Sequence, residues 1–98
     1  MSGGRSVRLY LADGKATGIL TAEIMNWTGH VLAAPRTRFE DAITRKELKR
    51  TGVYLLLGPD DTGGDVSRVY VGEGDEIGKR LYSHSREKDF WDRFVAVT

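Results

Sequence analysis

The sequence predicts an α+β domain: a small antiparallel sheet flanked by helices, preceded by an N-terminal β-hairpin and helix. Three observations carry this expectation. Residues 52–58 (GVYLLLG) form a continuous apolar run bounded by glycines, too short for a helix. Residues 67–72 (SRVYVG) form a second β-rich run, so the two make an antiparallel hairpin around a long acidic connection. Residues 7–12 (VRLYLA) alternate in the strand manner ahead of the turn signal Asp13-Gly14, and Ile77 and Leu81 mark the inner face of a helix that follows Gly74.

The other elements follow in chain order. Residues 16–24 (ATGILTAEI) are rich enough in β-formers to return as the partner of the first strand. Asn26-Trp27-Thr28-Gly29 reads as a turn, and the apolar residues 31–34 as a third strand ending at Pro35. Thr37-Arg38-Phe39-Glu40 has the S/T-x-x-E spacing of a capping box, which predicts a helix toward Gly52 with Phe39, Ala42 and Ile43 as its apolar stripe and Leu48 off that stripe. Asp75 is the expected cap of the later helix, Phe90-Trp91 packs the turn after it, and residues 94–98 (FVAVT) make a last strand. With no repeat, low-complexity stretch or linker between them, residues 1–50 and 51–98 are expected to pack as one domain.

Ninety-eight residues suffice for one hydrophobic core. The absence of cysteine excludes disulfides, zinc-thiolate sites and thiol nucleophiles together. No apolar run approaches the roughly 18 residues of a membrane span, and the opening residues lack the apolar stretch of a signal peptide, so a cytoplasmic protein with no membrane partner is expected. The net charge of +1 hides a segregation of sign. Residues 36–50 hold six basic against three acidic side chains, residues 79–93 five against three, and residues 59–76 six acidic against Arg68 alone. Two basic segments suit a polyanion, although solvated helix faces give the same pattern.

The chemistry-bearing pattern is Gly52-Val53-Tyr54, then Tyr70-Val71-Gly72, then Arg80 ten positions after the second tyrosine and His84 four beyond that. This pattern, over about half the chain, resembles the GIY-YIG nuclease family, with valine for isoleucine in both tripeptides and a longer connection between the tyrosines. The resemblance implies a three-stranded antiparallel sheet with flanking helices and metal-dependent cleavage of nucleic acid phosphodiesters, DNA in the first place. It implies Tyr54 as base, Tyr70 as a positioning group, Arg80 for transition-state charge, and His84 for proton transfer or phosphate binding. Gly52, Gly72, Lys79 and Arg86 are the expected substrate-binding residues. The segment of residues 26–36 (NWTGHVLAAPR) is similar to one that precedes this domain in some longer bacterial relatives.

Elementary chemistry supports these roles. An i, i+4 spacing puts Arg80 and His84 about 40° apart on one helix face. A guanidinium stabilises charge that develops on phosphoryl oxygens, whereas a tyrosine, with a reference pKa of about 10, needs help from cations or a metal to act as a base. The plain structural reading keeps Tyr54 and Tyr70 as strand aromatics and Arg80 and His84 as surface residues, and His30 as a structural or exposed histidine. Gly72-Glu73-Gly74 resembles the start of a dinucleotide fingerprint, but Ile77 stands where its third glycine belongs.

The resemblance also implies magnesium or manganese, held by a glutamate on a helix that follows the third strand of the family's sheet. That position is expected beyond Thr98, as in a fragment of a longer protein. Asp75, Glu76, Glu87, Asp89, Asp92 and Glu73 do not occupy it, so no metal residue is assigned. The two functions left open are a metal-dependent endonuclease and a catalytically inactive nucleic-acid-binding or protein-interaction module of the same fold.

Overall fold

The computed structural model describes Gly4 and residues 6–24, 28–59 and 67–98. Six strands, β1 (Val7–Leu11), β2 (Leu20–Ile24), β3 (Val31–Pro35), β4 (Gly52–Pro59), β5 (Ser67–Gly74) and β6 (Arg93–Val97), form one sheet in the order β1-β2-β3-β6-β4-β5. Every neighbouring pair is antiparallel. The helices are α1, a single turn at Phe39–Ala42, and α2 at Ile77–Glu87, with 3-10 turns at Arg36–Arg38 and Lys46–Lys49.

The architecture is therefore α+β, with a wider sheet than the three strands expected. Strands β6, β4 and β5 form a three-stranded block, and the pairing of β3 with β6, from Val31↔Val97 to Pro35↔Arg93, fuses residues 7–35 to it. Arg36 reinforces the joint. Its guanidinium donates to the carbonyls of Ser85, Asp89 and Trp91 at 2.8–3.3 Å and stacks 4.4 Å from the Trp91 ring centroid. No helix among the described residues is long and apolar enough to cross a membrane.

Strand alternation sorts the sheet into two faces. Leu32, Ala34, Tyr54, Leu56, Phe94 and Ala96 point to one side, where Ala42, Leu48, Ile77, Leu81 and Trp91 complete a buried core. The other side carries an apolar lawn from Leu9 and Leu11 on β1 to Val69 and Val71 on β5, which no described helix covers.

Three sequence expectations are corrected. First, the returning strand begins at Leu20, because residues 12–19 fold around the Asp13 carboxylate: it accepts from the Ile19 N–H at 2.9 Å and from Arg38 at 2.7 and 3.0 Å, which holds its pKa down to about 2. Gly14 does take the turn, with φ of +76°.

Second, the capping box does not form. Thr37 lies inside a 3-10 turn without a side-chain cap, and the predicted helix breaks into α1 and a second 3-10 turn, with Arg45 extended between them. One continuous helix would set Ala42 and Leu48 on different faces, six residues being about 240°. The break lets both reach zero exposure in the core.

Third, the N-cap of α2 is Glu76, not Asp75, and has no side-chain cap; the N–H of Ile77 is anchored on the Arg50 carbonyl at 3.2 Å instead. The first two residues of the expected turn, Asn26 and Trp27, lie outside the described residues, as does most of the acidic connection between β4 and β5. His30 is a structural residue: its backbone exchanges two 2.9 Å hydrogen bonds with Thr98, and its ring lies 3.9 Å from Glu23.

Candidate active site

The hairpin of β4 and β5 and the crossover helix α2 build the site. Tyr54 on β4 faces Gly72 on β5, and Leu56 faces Tyr70, so both tyrosines stand diagonally on the helix-covered side of the sheet. Their ring centroids are 6.3 Å apart. Helix α2 connects β5 to β6, two strands that both flank β4, and so must pass over β4. Its buried stripe, Ile77, Leu81 and His84, turns the imidazole down onto the tyrosines. The His84 ring is 5.4 Å from that of Tyr54 and 5.1 Å from that of Tyr70, and Nε2 lies 2.6 Å from the Tyr54 hydroxyl.

Two glycines of β5 are receptors for side chains of other elements. A Cβ at Gly72 would fall onto the Tyr54 ring and hydroxyl. A Cβ at Gly74, two residues on and therefore on the same face, would come within 2.8 Å of the Arg80 side chain. The Y-x-G spacing thus has a packing cause: Tyr70 supplies a ring, Gly72 makes room for the ring of Tyr54, and Gly74 makes room for the arginine. Gly52 serves the sheet rather than the cluster, since a side chain there would meet the Val97 carbonyl on β6.

The electrostatics of the cluster favour neutral aromatics ringed by cations. Burial pushes the Tyr54 hydroxyl above its usual value of 10.0, and the Tyr70 hydroxyl adds to that push while the Arg80 guanidinium opposes it. Burial likewise pushes His84 below 6.5, assisted by the charges of Lys88 and Arg80. At neutral pH a neutral phenol therefore meets a neutral imidazole. With its proton on Nδ1 the imidazole accepts from the Tyr54 hydroxyl; with its proton on Nε2 it donates to the phenol oxygen. The buried Nδ1 has no hydrogen-bond partner among the described residues.

Of the sequence-predicted residues, the structure brings Tyr54, Tyr70, Gly72, Arg80 and His84 together. Lys79 and Arg86 lie elsewhere on α2: Lys79 is 3.9 Å from Glu76, and Arg86 donates to the Tyr82 hydroxyl at 3.4 Å. Two members were not read from the sequence. Lys88 sets its ammonium 4.6 Å from the Tyr70 ring centroid, and the signal for it was the same four-residue step that links Arg80 to His84. Gly74 was signalled by the period of two that it shares with Gly72.

Glu73 pairs with Val53 and so stands on the sheet face away from Tyr54. Among the described residues no three histidines or carboxylates come together as a ligand set for a metal ion. No protein-family model, no curated protein and no solved structure matches this chain.

Proposed function

We propose that this chain carries the phosphodiester-binding and cleaving corner of a GIY-YIG-type endonuclease acting on nucleic acid, DNA in the first place. The observation that supports it most is the convergence of Tyr54, Tyr70 and His84 at hydrogen-bonding and ring-contact distances, with Arg80 seated on Gly74 beside them. These residues come from three separate elements, β4, β5 and α2.

In this reading Arg80 binds the phosphoryl oxygens and stabilises the charge that builds on them as the bond to phosphorus breaks. Tyr54 orients the attacking water and takes its proton, passing its own phenolic proton to Nε2 of His84 in the tautomer protonated on Nδ1. Burial opposes a free phenolate, so the histidine has to act in step with the phenol. Tyr70, flanked by the Lys88 ammonium, positions the phosphate. Magnesium or manganese supplies further charge neutralisation when bound. The described residues offer that ion no ligand set, and its protein oxygen is assigned to none of them.

The second reading is a module that grips a phosphodiester without cutting it. The raised Tyr54 pKa favours it. Nicking of supercoiled plasmid, with magnesium or with chelator, separates the two. Cleavage that requires the metal and falls about 100-fold or more in Arg80→Ala, and comparably in Tyr54→Phe, supports the nuclease. Plasmid binding indifferent to chelator and without cleavage supports the module.

A further inference from the structure

Beside the aromatic cluster lies a groove of about 640 Å³, lined by Arg68, Tyr70, Glu87, Lys88, Asp89 and Phe90. Tyr70 belongs to both, so the groove continues directly from the cluster. Its walls carry two cation–aromatic pairs. The Arg68 guanidinium lies 4.5 Å from the Phe90 ring centroid, and the Lys88 ammonium 4.6 Å from that of Tyr70.

The charges of the lining cancel, Arg68 and Lys88 against Glu87 and Asp89. A channel that tracks a phosphate backbone carries a surplus of lysine and arginine. Among its described lining residues this groove has none, and its flat faces suit a base, which stacks on aromatic rings and on guanidinium planes. Its volume is also within the roughly 300–1,000 Å³ typical of a site for one small molecule, the size of a nucleotide. Lys88 lies on the side nearest the cluster, with its ammonium against the Tyr70 ring, and its charge and the opposing one of Glu87 both bear on His84.

We infer that the groove receives an unpaired nucleotide next to the phosphodiester held by the cluster, its base against Phe90 and Arg68 and its phosphate on Lys88. The inference rests on the nucleic-acid reading above and adds the substrate class: a strand with a flap, bulge or single-stranded junction rather than a continuous duplex. A base inside a duplex is stacked on both sides and has no face to offer until it leaves the stack.

The test is fluorescence anisotropy in chelator, with the whole chain, comparing a labelled duplex that carries a single-stranded flap with the same duplex fully paired. The flap is expected to bind about tenfold more tightly. Phe90→Leu and Arg68→Gln should each remove most of that preference and leave the paired duplex unaffected, while Tyr54→Phe leaves the preference intact. Arg68 is exposed, so Arg68→Gln reports on the groove even if Phe90→Leu perturbs packing. Equal affinity of the unaltered chain for both duplexes overturns the inference and spares the reading of the site. So does an equal loss on both duplexes in Arg68→Gln. Absence of binding to either duplex overturns both.

Discussion

The ring and hydroxyl of Tyr54 occupy the space that a side chain at Gly72 would fill. The two residues face each other across the β4–β5 hairpin, so the glycine of one motif is the seat for the tyrosine of the other. Gly72→Ala is therefore expected to lower stability by about 1–3 kcal/mol through overpacking. Adding Tyr54→Leu to Gly72→Ala should give a smaller total loss than the sum of the single variants, because the contact is shared. Urea denaturation of the four proteins of this cycle measures it, and simple additivity would refute the contact.

His84 sets a pH dependence whose sign follows from its depressed pKa. Below about 6.5 the unfolded chain takes up a proton that the folded chain refuses, so folding stability is full above that pH and falls as the pH drops toward the lower folded value. His84→Gln should flatten the stability profile in this window. Thermal melts from pH 7.5 to pH 5 check it, with an unchanged slope as the contrary result.

Arg36 ties the first half of the chain to the turn after α2 through three backbone carbonyls and the face of Trp91. Arg36→Lys keeps the charge but loses the planar fork and the stack. It should be destabilising by about 1–3 kcal/mol, well beyond the effect of an ordinary surface substitution. Denaturant midpoints compared with those of Lys46→Arg, an exposed position, give the contrast.

Leu48 distinguishes the broken helix from the continuous one predicted by the sequence. In the broken form it is wholly buried, and Leu48→Ala should cost about 2–5 kcal/mol. On the outer face of a continuous helix it would cost a small fraction of that, and equilibrium unfolding tells the two apart.

The contrast at Leu48 shows what the sequence makes legible. Runs whose order is local were readable: β4 and β5 from glycine-bounded apolar stretches, and the shared face of Arg80 and His84 from the step of four residues on α2. The false helix from Thr37 came from a local capping signal that tertiary contacts override. Arg38, the second residue of that signal, binds Asp13 in the β1–β2 connection, and the core needs both Ala42 and Leu48. The pairing of β3 with β6 and the stacking of Arg68 on Phe90 join residues far apart in the chain, for which no periodicity gives a signal.

The strand that joins the two halves of the sheet, β6, is the last of the six in the sequence. Without β6 the other strands make two separate part-sheets, β1-β2-β3 and β4-β5, each with an open edge where the same strand inserts. Residues 93–97 close both edges at once. The sheet is thus completed by insertion at its middle rather than by growth at its rim, through contacts of the high sequence separation that slows folding in general.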